Sequence, residues 1–208
     1  MAKNRRDIVE MLRHENEALK SRNQKIDARL TRHQQAFRAL NRMEETMLTM
    51  HNDFDLKQLV GDLLALALHA CDSENGSLIL VDDESQELLF AEVIGEARER
   101  LLDRRISLGT GIVGHVVETQ QPKLVTNVQQ SSHWSSEVDQ MVGFDTNALM
   151  CAPLFNRETT YGAIEVVNTR SAEAFDENDL AILRVTARFV SQALTDAANR
   201  SLSDSETG

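Results

Sequence analysis

A seven-residue spacing governs the first quarter of the chain. Leu12, Leu19, Ile26, His33, Leu40 and Met47 recur at one heptad position, d, and Val9, Asn16, Asn23, Leu30, Phe37 and Glu44 fall at a. So narrow a stripe is poorly suited to a helix lying on a globular core, which needs a broader apolar face. It suits a second helix running alongside. Leucine at d with asparagine at a is the pattern of a parallel two-stranded coiled coil, in which a buried Asn specifies register at a cost in stability. The flanks agree. Glu15 at g faces Lys20 at e of the other helix, and Arg22 at g faces Asp27 at e; both pairs have opposite signs in a parallel, in-register homodimer. The expected seam is Leu12, Asn16, Leu19, Asn23, Ile26, Leu30, Phe37 and Leu40.

Two other readings compete for this segment. One is a single amphipathic helix packed on the domain. The other is a basic zipper, but that needs a dense basic helix ahead of the heptads, and only Lys3, Arg5 and Arg6 stand there. His33 at a d position reads as a tolerated polar residue or a pH-sensitive one. Beyond residue 43 the stripe shifts phase through Met43, Met47, Met50 and Phe54. Such a slip alters supercoil winding and suits a connection that transmits a signal into the next domain.

Charge divides the chain at the same place. Residues 1–52 carry 11 Lys+Arg against 7 Asp+Glu, and the remainder 11 against 26, which together make the net charge of −11. The main domain should repel nucleic acid. At 41% hydrophobic residues there is enough for a core, and at 4% aromatics that core must be aliphatic. No run reaches the length of a membrane span and the start has no apolar signal core, so a cytoplasmic location is expected. Cys71 and Cys151 then read as reduced thiols.

From residue 53 the pattern becomes that of one mixed domain. "DFDLKQLVGDLLALALHAC" reads as a helix with Asp53 or Asp55 as N-cap. "GSLILVD" and "ELLFAEVIG" read as strands around the turn "DDESQ", and "NALMCAPLF" and "TYGAIEVVN" as strands around "NRET". "GTGIVGHVVETQQP" reads as a Gly-rich turn and short helix stopped by Pro122, "KLVTNV" as a short strand, and "FDENDLAILRVTARFVSQALTDAANR" as a closing helix. Helices at both ends of a strand-rich centre indicate an α+β fold, an antiparallel sheet flanked by helices. The expected organisation is a dimeric coiled coil and connecting helix over 1–52, a domain over 53–200 and a disordered tail over 201–208.

The order of these pieces resembles a GAF domain, the regulatory ligand-sensing module related to PAS. The resemblance rests on "GSLILVD", "GTGIVGHVVETQQPKLVTNV", the pair "APLF…YGAIEVVN" and "FDENDLAIL". It implies a six-stranded antiparallel sheet with terminal helices on one face and a ligand pocket on the other, and dimerisation through terminal helices. "EVDQMVGFDTNALMCAPL" is similar to the matching stretch in GAF domains of cyclic-nucleotide phosphodiesterases and adenylyl cyclases, at Val138, Asp139, Gly143, Phe144, Thr146, Cys151 and Pro153. Of that group's Asn-Lys…Phe-x-x-x-Asp-Glu signature, Asn168, Phe175 and Asp179 match, while Thr169 stands for the Lys and Leu180 for the Glu. One partner of the signature's Lys–Asp pair is therefore absent.

The same resemblance places residues 131–147 over the pocket. The chain's one tryptophan, Trp134, with Met141 and Phe144, would cover a bound ring. Asp145, Thr146 and Asn147 would orient it. Strand alternation puts Ala163, Glu165 and Val167 on one face, where Glu165 would accept a hydrogen bond from a ligand. The alternatives are a small core under a long loop for the first group and an ion pair or solvated carboxylate for Glu165. Catalytic and metal-binding residues are not expected. The histidines at 14, 33, 51, 69, 115 and 133 give no helical pair, "GTGIVG" lacks the Walker Lys-Ser/Thr, and no Cys-His pair marks bilin attachment. Thiol-based methionine sulfoxide reduction, a chemistry of some GAF-fold proteins, would need a reactive and a resolving thiol, whereas both cysteines sit in apolar segments. The expectation is a non-enzymatic, dimeric sensor of a small molecule, with no resident cofactor. A cyclic nucleotide is one possible ligand, and a dimerisation scaffold with a vestigial pocket is the contrasting reading.

Overall fold

The computed structural model describes residues 2–48, 55–171 and 174–206. A 47-residue helix, α1 (Ala2–Leu48), leads into α2 (Leu56–Ala70). Then follow β1 (Asn75–Asp82), β2 (Glu87–Ile94), α3 (Arg98–Leu101), β3 (Arg105–Ser107), α4 (Gly111–Thr119), β4 (Lys123–Val125), α5 (Glu137–Val142), β5 (Leu149–Phe155), β6 (Thr160–Val167) and α6 (Glu177–Glu206). The six strands form one sheet in the order β3-β2-β1-β6-β5-β4, with every neighbouring pair antiparallel.

Local chemistry accounts for the ends of these elements. Asp55 caps α2, its carboxylate accepting from the amides of Lys57 (2.9 Å) and Gln58 (3.2 Å) and so satisfying two of the orphan first-turn donors. Asp53, the alternative cap, and the stripe residues Met50 and Phe54 lie outside the described residues. Of the glycines of "GTGIVG", Gly109 (φ 89°) and Gly111 (φ 67°) make the turn, and Gly114 serves packing: a Cβ on it would sit 2.3 Å from the carbonyl carbon of Gly109. The closing helix is longer than expected. α6 continues through Glu206, into the segment anticipated as a disordered tail.

The sheet separates two cores. On one face Leu78, Met150, Leu154, Ile164 and Val166 pack against Leu63 and Leu64 of α2 and Leu183 and Val190 of α6. Ala36, Ala39 and Met43 of α1 join this cluster; the two alanines let the helices approach closely, and the buried Thr186 hydroxyl lies 3.4 Å from Met43 Sδ. On the other face Ile79, Leu88, Phe90 and Ala163 pack against Ile112, Val113 and Val116 of α4. The period-2 alternation of strand side chains assigns each residue to its face. The β5–β6 hairpin is fastened to α6: the Phe155 amide donates to Ser191 Oγ (3.1 Å) and Tyr161 Oη lies 2.9 Å from Thr195 Oγ1. Among the described residues no helix is long and apolar enough to cross a membrane.

Candidate functional site

Between the second face and the loop that follows β4 lies a cavity of about 90 Å³, room for several waters. Ser77, Phe90, Val93 and Glu165 of the sheet form its floor. Thr110, Gly111, Ile112 and Val113 bring the N-terminus of α4 to one wall. Trp134, Val138, Val142 and Phe144 close it from above.

The cover is held in place by short polar links. α5 ends at Gly143, which adopts φ 63°, the left-handed C-cap conformation that costs glycine least. The chain then folds back, and both carboxylate oxygens of Asp139 accept from Thr146, one from its amide and one from its hydroxyl, each at 2.8 Å. Asn168, at φ 50°, fastens the next residues. Its Oδ1 accepts from the amides of Asn147 (2.9 Å) and Ala148 (3.1 Å), and its Nδ2 donates to the Asp145 carbonyl (2.9 Å). Arg100 of α3 donates to the Val142 carbonyl at the end of α5, meeting one of that helix's orphan acceptors. His115 of α4 stacks on His133 with ring centroids 3.8 Å apart. Burial and the neighbouring His133 and Lys123 lower the pKa of His115, against a smaller opposing effect of Glu118.

Glu165 is the one carboxyl on the floor. It pairs in register with Ser77 of β1 and Cys151 of β5 and is 9% exposed. Burial raises its pKa to about 7, opposed by hydrogen bonds from Cys151 and Ser77 and reinforced by the charge of Asp139. The Cys151 thiol is driven well above its usual range, first by burial and then by Glu165, so it is a poor nucleophile. Cys71 lies in the helix-side core and Cys151 in the other, so the sheet stands between the two thiols.

Comparison with known families matches the GAF domain over residues 55–194. The chain belongs to the GAF domain family. GAF domains are signalling sensor modules, and the fold agrees. The GAF domain of a phosphoenolpyruvate-protein phosphotransferase from Coxiella burnetii superposes with a TM-score of 0.70 at 15% identity, over 81% of this chain and 98% of that one. A free methionine-R-sulfoxide reductase from Neisseria meningitidis, solved with its substrate, gives 0.65 at 18% identity over 79% and 91%. Among curated relatives, the dual 3',5'-cyclic-AMP and -GMP phosphodiesterase 11 of Drosophila melanogaster is 26% identical over 160 residues, which is 70% of this chain and 11% of that protein. The corresponding phosphodiesterase 11A of Takifugu rubripes is 24% identical over 163 residues, 74% and 18%. The chain thus spans under a fifth of the length of these relatives.

Within this GAF domain, the residues singled out from sequence divide into two groups. Trp134, Phe144, Thr146 and Glu165 line the cavity together. Met141, Asp145 and Asn147 do not; all three are exposed. Val138 and Val142 are spaced to share the inward side of α5, which leaves Met141 outside. Thr146 turns inward between Asp145 and Asn147, whose backbones are held by Asn168. Thr146 itself is spent on Asp139. Sequence reasoning missed Ser77, Arg100 and the N-terminus of α4. The strand register that places Ser77 opposite Glu165 needed the pairing of β1 with β6, which no local pattern gives.

Proposed function

We propose that this GAF domain binds a small molecule in the cavity beneath Trp134 and reports its presence through α1 and α6. The carrying observation is the polarity of the cavity. At one end, the first-turn amides of α4 are present without a side-chain cap from Thr110, and a helix N-terminus favours an anionic group. On the floor Glu165 offers a hydrogen-bond acceptor when ionised. Between them stand Phe90, Trp134 and Phe144, surfaces for a flat ring. A ligand with an anionic group, a ring and a donor edge satisfies all three, and cyclic nucleotides belong to that class. The names of the phosphodiesterase relatives point the same way. A ring of that size needs more room than the cavity has, so binding would lift the segment over 131–147.

The test is calorimetric titration of the full chain with cyclic AMP and cyclic GMP, with Trp134 emission recorded in parallel. Saturable binding of either, with an emission change, is expected. No binding of either nucleotide overturns the cyclic-nucleotide version. Native mass spectrometry of the freshly purified protein then separates a sensor of another metabolite, seen as an adduct, from a scaffold with an empty pocket.

The dimer is the second part of the proposal. Val9, Leu12, Leu19, Ile26, Leu30 and Phe37 are all between 44% and 65% exposed on α1. They share the a/d seam, while Ala36, Ala39 and Met43 turn to the domain. A second copy in parallel register covers that seam, with Asn16 and Asn23 fixing the alignment. Deleting residues 1–40 should lower the mass seen by light scattering. A truncated chain that stays dimeric at micromolar concentration would move the interface elsewhere.

A further inference from the structure

On the helix side of the sheet, far from the family's ligand cavity, a second cleft of about 280 Å³ opens between β5 and α6. Its origin is legible in the chain's only two prolines, Pro122 and Pro153, which both line it. The β4–β5 ladder begins at Lys123 opposite Cys151. Continuing it would set Pro122 opposite Ala152 and Gln121 opposite Pro153. Neither proline has an amide to extend the ladder, so the two segments part there. Gln120, at φ 53°, turns the chain away.

We propose that this cleft, flanked by Arg184 and Arg188, docks an acidic peptide segment of a partner protein. The two arginines are four residues apart on α6, on one side of the helix. Positions three and four away from each are Leu180, Ala181, Val185, Ala187, Ser191 and Gln192 or the other arginine, so no acid on α6 neutralises them. No ion pair reaches either guanidinium among the described residues, and no carboxylate lines the cleft. In a chain of net charge −11, two unneutralised guanidiniums side by side form a local exception that selects negative partners. The rest of the lining fits a peptide. Phe155 is 41% exposed, Pro122 and Pro153 give apolar contact, and Gln121 brings a side-chain amide for hydrogen bonds to a peptide backbone. Partner and sensor would then meet on α6, the helix that also carries Ser191 and Thr195, the residues that fasten the β5–β6 hairpin.

Selection of a random peptide library displayed on phage against the immobilised full chain tests this. Enriched peptides should be rich in Asp and Glu, and should bind at least roughly tenfold more weakly to Arg184→Glu/Arg188→Glu or when salt is raised from low to high. Both side chains are exposed, so the melting temperature should be unchanged; Arg184→Gln/Arg188→Gln serves if the charge reversal perturbs folding. Enrichment without acidic residues, or equal binding to the variants, overturns the proposal. Displacement of every enriched peptide by millimolar inorganic phosphate, irrespective of peptide sequence, also overturns it, because the cleft is then a simple anion site. A failure of the nucleotide titration leaves this result unaffected, since the two sites share no residue.

Discussion

The two faces of the sheet are built to different standards. The face toward α2 and α6 is aliphatic and, apart from the cleft beside Pro122 and Pro153, closed, with Leu154, Ile164 and Leu183 fully buried. The opposite face sets a carboxyl, a serine and a thiol side by side on adjacent strands at Glu165, Ser77 and Cys151 and leaves space above them. Burying Glu165 costs stability unless it keeps its proton. The closed face therefore supplies the fold, and the open face spends part of that stability on a site. Substitutions on the two faces should separate stability from binding.

The largest effect is expected on the closed face. Leu154→Ala should lower unfolding free energy by about 3 kcal/mol, the scale of a fully buried Leu lost to a cavity, measured by urea titration. Affinity for a cavity ligand, read well below the transition, should not change. A matching loss of affinity would show that the faces are coupled through the sheet.

Next comes Glu165→Gln. The folded pKa of Glu165 is about 7 against an ordinary 4.5. The folded state therefore holds this proton more tightly than the unfolded chain. Its contribution is intact below pH 4.5 and is lost as pH rises through about 7. The variant should match wild type near pH 4.5 and exceed it at pH 8 by an amount on the order of 3 kcal/mol. Ligand affinity above pH 7 should fall. Parallel stability curves for the two proteins from pH 5 to 8 would place Glu165 in solvent.

Trp134→Ala is smaller in stability, about 1 kcal/mol for a half-buried ring, yet should weaken cavity binding by about 1–3 kcal/mol. Undiminished binding would remove Trp134 from the site. The smallest effect belongs to the stacked pair. His115 has a lowered pKa, so the unfolded chain protonates more readily than the folded one. The stacking contribution is present above the ordinary value of 6.5 and falls as pH drops below it. Trp134 emission should shift in acid, and His115→Gln should abolish the shift. An identical titration in both proteins would assign it elsewhere.

The strands that carry long apolar runs, β1, β2, β5 and β6, are legible in the sequence because each is half of a hairpin with its own turn. α3 and β3 are not. They lie in the charged run "EARERLLDRRIS", four and three residues long, and are fixed by tertiary partners: the Phe90 carbonyl for the Asp103 amide, the Val142 carbonyl for Arg100. For the site, Trp134, Phe144, Thr146 and Glu165 followed from residue type and family order. Met141, Asp145 and Asn147 fall outside the cavity lining because a six-residue helix and a locked loop set side-chain direction residue by residue, below the grain of any sequence pattern.

One consequence of α1 is mechanical. The helix has 47 residues, about 70 Å at about 1.5 Å per residue, and among the described residues it joins the domain's core near its C-terminal end, through Ala36, Ala39, Leu40 and Met43. It is a lever with its fulcrum near one end. A tilt of about one degree at Met43 carries the far end, some 60 Å away by the same rise, through roughly 1 Å. A sensor built this way needs only a small adjustment where Met43 meets Thr186, and geometry amplifies it along the arm.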